Sequence, residues 1–211
     1  MRLIHYILLG LFFIVLSWSA YDNADWFIWK LEVAPGVVAA IVLALTFKKF
    51  RFTTVAYIFI LMHCVILFIG AKYTYAEVPL FNWLRDLLDM SRNNYDKVGH
   101  FMQGFVPALV AREILIRLKV INGRGWLQFF VICFCLAMSA FYELVEWFVA
   151  EVTGEAADAF LGTQGYVWDT QSDMFWALAG ACSMFVLLSR VHDRAITRLE
   201  AAEVSVGGQS R

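Results

Sequence analysis

Apolar residues run along this chain in long stretches separated by short polar connections. A helix needs roughly 20 mostly apolar residues to cross a bilayer. Six stretches approach that length: residues 3–18, 35–47, 54–71, 98–118, 126–149 and 170–190, the second being the shortest. Trp18, Tyr21, Trp26 and Trp29 gather around the first turnaround, and Lys48, Lys49 and Arg51 follow the second, as interfacial residues do. One connection has its own pattern. After Pro79, Leu80, Trp83, Leu84, Leu87 and Leu88 recur at helical spacing, with Arg85, Asp86 and Asp89 on the other side. This predicts a short helix near residues 79–90, lying on the membrane surface or packed on the bundle as a cap. The expected fold is all-α, a polytopic transmembrane bundle of about six helices. It forms one domain over residues 1–199, followed by a flexible cytoplasmic tail at 200–211.

Composition agrees with this reading. The 211 residues are 61% hydrophobic and 17% charged, whereas a soluble domain has about a quarter of its residues charged. A net charge of -1 excludes a basic nucleic-acid binder. Cys64, Cys133, Cys135 and Cys182 all sit inside apolar runs, which favours small packing residues over a disulfide framework or a zinc site. Arg2 before the first run and the Ser17-Trp18-Ser19 step also fit a signal peptide, but the apolar stretch exceeds the usual length of about 7 to 15 residues, which favours a retained helix.

Lys and Arg in the short connections set the expected orientation. Residues 47–52, 117–125 and the C-terminal tail are rich in them, whereas 150–168 has none and carries Glu151, Glu155 and Asp158. The positive-inside rule places both termini in the cytoplasm and the 150–168 connection outside. Lys72, Arg85, Arg92 and Lys97 in the 72–97 connection run against it.

Polar residues converge in this topology. Asp96 and His100 lie four apart at the start of the fourth span, Ser139, Glu143 and Glu146 share a face toward the end of the fifth, and Asp169 and Asp173 open the sixth. All fall near the same membrane surface. Carboxylates there are costly and raise one another's pKa, so a divalent cation, neighbouring Arg92 and Lys97, or bound protons must compensate. Carboxylates suit Mg²⁺, Ca²⁺ or Mn²⁺, and an added imidazole admits Zn²⁺. Asp96 and Asp169 have a plainer reading as N-caps. Glu143 and Glu146 do not, because a carboxylate near a helix C-terminus is disfavoured by the dipole.

Other polar residues read separately. Glu113 lies about 20 Å along its helix from His100 and pairs with Arg117, while Arg112 reaches toward lipid phosphates. His5, His63 and His192 are packing or interface residues. Gly162 and Gly165 permit a tight turn before the sixth span, and Gln164, Tyr166 and Gln171 stand close enough to orient a substrate. YDKVGHF and WDTQSDMF echo one another, a local match too short to establish a repeat.

At YDKVGHFMQGFVPALVAREILIR, YELVEWF and FLGTQGYVWDTQSDM the sequence closely resembles the YjdF-like bacterial inner-membrane family, defined by a domain of unknown function, over nearly the whole chain. The resemblance implies a polytopic inner-membrane protein and supplies no reaction. The D-K-x-x-H-F element at residues 96–101 is also similar to the start of the VanZ-like membrane proteins associated with glycopeptide resistance, which implies an envelope role.

The functional expectation is a metal-dependent membrane hydrolase or transferase acting on a lipid or other envelope substrate at the periplasmic face. Asp96, His100, Glu143, Glu146, Asp169 and Asp173 would hold the divalent cation, with Glu143, Glu146 and His100 as catalytic groups. Arg92 and Lys97 would bind an anionic headgroup, with Gln164 and Gln171 beside it. A cation- or proton-coupled transporter or channel and a non-catalytic scaffold are the alternatives. Depth separates them, since transport needs a polar track reaching Glu113.

Overall fold

The computed structural model describes residues 3–154 and 163–207, and every regular element among them is a helix. In chain order these are α1 (Leu3–Ala20), α2 (Trp26–Thr46), α3 (Thr54–Tyr73), α4 (Pro79–Leu87), α5 (Tyr95–Arg117), α6 (Arg124–Thr153), α7 (Asp169–Leu187) and α8 (Ser189–Gly207). The end of the bundle at which α5 and α7 begin is termed the upper end.

The second span is longer than its apolar run. Asp25 accepts hydrogen bonds from the Phe27 and Ile28 amides and starts α2 at Trp26. Lys30 and Glu32 interrupt the apolar pattern that follows, and the helix continues through Pro35, which leaves the Leu31 carbonyl without its usual donor. Trp26 and Trp29 therefore belong to the first turn of a span. Toward the same upper end, α6 continues to Thr153, so Glu143 and Glu146 stand well inside it. The dipole argument against them lapses, since that effect is confined to the last turn.

Four helices, α1, α2, α3 and α6, are long and apolar enough to cross a membrane, and α7 with α8, bent by 65° at their junction, would make a fifth. The fourth expected span, now α5, does not qualify by composition, because Asp96, Lys97, Arg112, Glu113 and Arg117 lie along it. Its position explains this. α5 packs against α3, α6 and α7, its pairing with α7 being the most extensive in the molecule, and more than half of its residues are buried. A helix enclosed by others needs no apolar face for lipid, whereas α1, α2 and α6 expose many large apolar side chains.

Ion pairs between α5 and the α7–α8 segment at both ends show that α5 and α7 run in the same direction. Glycine sets their separation. A Cβ on Gly104 would stand 1.7 Å from the Ala177 carbonyl oxygen, and one on Gly180 1.9 Å from that of Phe101. Below this crossing, Phe105, Val106, Ala108 and Leu109 of α5 join Val131, Cys135, Ala181 and Met184 in the main apolar core. A second core joins α1, α2 and α3 through Phe12, Val33 and Phe68.

At the lower end one carboxylate ties three helices together. Glu113, fully buried, accepts from the Thr53 amide and hydroxyl at 2.8 Å each, meets His192 Nε2 at 2.9 Å and pairs with Arg117 at 3.2 Å. Arg112 does not extend to lipid. It is buried against His192 Nδ1 at 3.0 Å and Asp193, and His192 is thus an ion-network residue. Composition reads a flexible tail from residue 200, but α8 continues to Gly207. Cys64 and Cys135 are buried and Cys133 and Cys182 face outward, all as free thiols.

On α4 no residue is buried, and Leu80, Trp83, Leu87 and Leu88 point away from the protein. Phe81, on its other side, packs edge-on against Tyr95. This arrangement matches a helix on the membrane surface and differs from a cap with its apolar stripe turned inward.

Candidate functional site

Asp96 and Asp169 sit in the first turns of α5 and α7, yet neither caps its helix. The N-cap positions are Asn94 and Trp168, and neither makes a side-chain capping bond. Both aspartates turn instead to the basic residues between the helices. Lys97 Nζ lies 2.8 Å from Asp169, 2.6 Å from Asp173 and 3.3 Å from Asp96. Arg92 contacts Asp169 at 2.5 Å and Asp96 at 3.5 Å. Arg92, Lys97 and all three aspartates are buried, so each charge depends on the others for compensation.

Behind this knot lies His100. Its Nε2 is 3.2 Å from Asp96 Oδ1 and 3.8 Å from Asp173 Oδ2, while the second oxygen of each aspartate goes to Lys97. The other ring nitrogen, Nδ1, meets Gln103 Oε1 at 2.8 Å, and with that amide orientation Nδ1 carries the proton. Nε2 faces two carboxylate oxygens, so without a cation it carries a proton and donates to Asp96, and a metal ion bound there would take that proton's place. Ligand atoms of Asp96, His100 and Asp173 all lie within 4.8 Å of one another.

α6 supplies the glutamates. Glu143 Oε1 stands 3.9 Å from His100 Nδ1 and is buried with no hydrogen-bond partner among the described residues, as is Ser139 Oγ one turn below it. Glu146, one turn above, is buried within electrostatic reach of His100 and Glu143 without a direct ion pair. The structure thus brings Asp96, His100, Glu143, Asp169 and Asp173 into contact and places Glu146 at their edge.

One acid is additional to the sequence expectation. Glu32 of α2 is buried within electrostatic reach of Asp96 and His100 and is hydrogen-bonded to Tyr75. Tyr75 follows the end of α3 with φ of 53°, after Thr74 at 57°. Its ring folds back over Gly70, where a Cβ would come within 2.2 Å of it. Burial holds the Tyr75 phenol well above its ordinary pKa, so it remains a proton donor. The only signal for Glu32 in the sequence is a lone acid inside an otherwise apolar run. Across the whole cluster Glu32, Asp96, Glu143, Glu146, Asp169 and Asp173 outnumber Arg92, Lys97 and His100.

The two glutamines have different surroundings. Gln164, at φ of 48°, uses both ends of its amide on the Asn93 backbone, accepting from N at 2.9 Å and donating to O at 2.8 Å. It fastens the connection before α7 to the segment before α5. Gln171 is exposed, two residues from both Asp169 and Asp173 and so on the other side of α7. Gly165 adopts φ of 82°, as a turn requires, and Gly162 lies outside the described residues.

A cavity of about 700 Å³ opens beside the cluster between the starts of α5 and α7. Arg92, Lys97 and Tyr166 line its mouth, and Val98, Phe101 and Trp176 its apolar side.

Comparisons with known proteins bear on the whole chain. Residues 4–194 match the family described as "Predicted membrane protein (DUF2238)". The chain is also similar to the inner membrane protein YjdF of Escherichia coli strain K12, 46% identical over 185 residues that cover 88% of each chain. No solved structure matches.

Proposed function

The chain belongs to the DUF2238 family of predicted membrane proteins, and we propose that it is an inner-membrane enzyme that binds a divalent cation at Asp96, His100 and Asp173 and hydrolyses, or transfers a group on, an envelope amphiphile. One observation carries the reading: an imidazole nitrogen and two carboxylate oxygens converge within 4.8 Å, with the far side of the ring held by Gln103. A second ring nitrogen held by an amide oxygen is the support that metal-binding histidines ordinarily have. The donor set fits Mn²⁺, Mg²⁺ or Zn²⁺, and the excess of buried carboxylates favours positive charge there.

A cation at this position would polarise a substrate oxygen and lower the pKa of bound water. Glu143, with its unpartnered Oε1 beside His100, is the group best placed to take a proton from an attacking water. Asp169 stands outside the donor set in this reading, because the atoms that converge are those of Asp96, His100 and Asp173. Glu146 and Glu32 shape the field behind the site.

The interior favours an enzyme over a channel. Below His100 the buried residues of α5 down to Leu109 are Met102, Gly104, Phe105, Val106 and Ala108, so an apolar layer separates the site from Arg112 and Glu113. Between Gln103 and Arg112, α5 itself carries no polar side chain.

Metal analysis of the purified protein tests the reading. After loading with Mn²⁺ and removal of free ion, wild type should retain roughly one ion per chain, and Asp173→Asn and His100→Gln should lose it. Equal, near-zero content in all three would sink it. The upper end faces the periplasm in this proposal, supported by the lack of Lys and Arg across 150–168. Val167→Cys in an otherwise cysteine-free chain should react with an impermeant thiol reagent applied from the periplasmic side. Labelling from the cytoplasmic side alone would invert the topology.

A further inference from the structure

The cavity between α5 and α7 has a gradient of chemistry along its depth. Both cationic side chains of the cluster line it, and none of the carboxylates does; Asp96, Asp169 and Asp173 stand behind Arg92 and Lys97 and hold them in place. Tyr166 lies across the mouth, its ring centre 5.7 Å from the Arg92 guanidinium and 5.9 Å from Lys97 Nζ. At the helical rise of 1.5 Å per residue, Phe101 lies about 9 Å below the start of α5 and Trp176 about 10 Å below the start of α7. The wall they form with Val98 is apolar, and Phe175 beside it is exposed where lipid would contact the bundle.

A cationic mouth above an apolar wall reproduces, over about 10 Å, the change from headgroup to acyl chain that a bilayer makes at its surface. We propose that this cavity holds a bilayer lipid with an anionic phosphate headgroup, the phosphate at Arg92 and Lys97 and the first part of an acyl chain against Phe101 and Trp176. Its volume is within the range of about 300–1,000 Å³ typical of ligand sites. The lipid enters sideways from the membrane past Trp176, beside the exposed Phe175. This names the substrate class of the enzyme proposed above and rests on that reading for the reaction, while the binding itself stands on the lining of the cavity.

The test uses the full chain in neutral detergent, mixed with equal mole fractions of phosphatidylglycerol and phosphatidylcholine, with the retained lipid counted by native mass spectrometry. Phosphatidylglycerol should be enriched about tenfold, equivalent to about 1.4 kcal/mol of preference. Ser172→Trp, which fills the cavity and leaves every charge in place, should abolish the enrichment, and inorganic phosphate should not displace the lipid. Equal retention of the two lipids, unchanged enrichment in Ser172→Trp, or displacement by phosphate alone would overturn the assignment. Manganese content measured on the same samples separates the two readings. Bound metal without lipid preference refutes only this inference, and lipid preference without bound metal refutes only the metal-dependent enzyme.

Discussion

Alanine at Gly104 is expected to cost the protein about 3 kcal/mol or more, at the upper limit of what overpacking usually does. The new methyl would be 1.7 Å from the Ala177 carbonyl oxygen, about half a normal contact distance, and its neighbour is helical backbone with no rotamer to yield. The helices would have to part. Because Lys97 and Asp173 face each other one to two turns above this crossing, at 2.6 Å, parting them loosens the ion cluster as well. Gly180→Ala should behave alike, with the Phe101 carbonyl as its obstacle. Gly10→Ala is the control, since nothing lies within 4 Å of its Cβ position and alanine is the better helix former by about 1 kcal/mol. Thermal melting in detergent reads all three. A Gly104→Ala midpoint equal to that of Gly10→Ala would refute the close packing of α5 on α7.

Lys97→Met is the other large effect. The ammonium touches Asp96, Asp169 and Asp173 together, and methionine retains the stem while removing the charge. Taking one partner from a buried ion pair costs about 3–5 kcal/mol, because the remaining charges stay buried without compensation. Two second changes should restore part of the loss. Asp173→Asn removes one of the stranded charges, and millimolar Mn²⁺ supplies a positive charge in place of the ammonium, so it should raise the melting point of Lys97→Met more than that of wild type. Full stability in Lys97→Met without cation would show that Lys97 does not neutralise the cluster.

Much of this site could be read from spacing alone. Asp96 with His100, Ser139 with Glu143, and Asp169 with Asp173 are each four apart, and helical periodicity puts each pair on one face whatever the helices around it do. The all-helical class followed equally directly from the apolar runs. The partners of the charges were not legible, because they depend on which helices become neighbours. Arg92 and Lys97 read as headgroup ligands in the sequence, and the structure adds that Asp96 beside them and Asp169 and Asp173 of α7 hold them in place. Glu32 escaped notice because Pro35 seemed to mark the start of its span, and only the Asp25 cap shows that the helix begins earlier. The surroundings of each helix were hidden for a related reason. Length and periodicity predict a helix at α5, but whether lipid or protein surrounds it is a property of the whole bundle.

The polarity of α5 bears on how the protein reaches its folded state during synthesis. A charged residue in the middle of a membrane helix opposes insertion by about 2.5–3.5 kcal/mol, and less toward the ends, and α5 carries charges of both signs near each end. Their partners arrive late: Asp169 and Asp173 are 72 and 76 residues beyond Lys97, and His192 and Asp193 are 79 and 81 residues beyond Glu113 and Arg112. Lys97 with Asp96 and Glu113 with Arg117 can pair within α5 itself, but the contacts that join its two ends to other helices wait for α7 and the start of α8. A nascent protein halted before residue 169 holds α5 with part of its charge still unpartnered, which favours a late arrival of α5 at its central place, together with the segment that completes its charges.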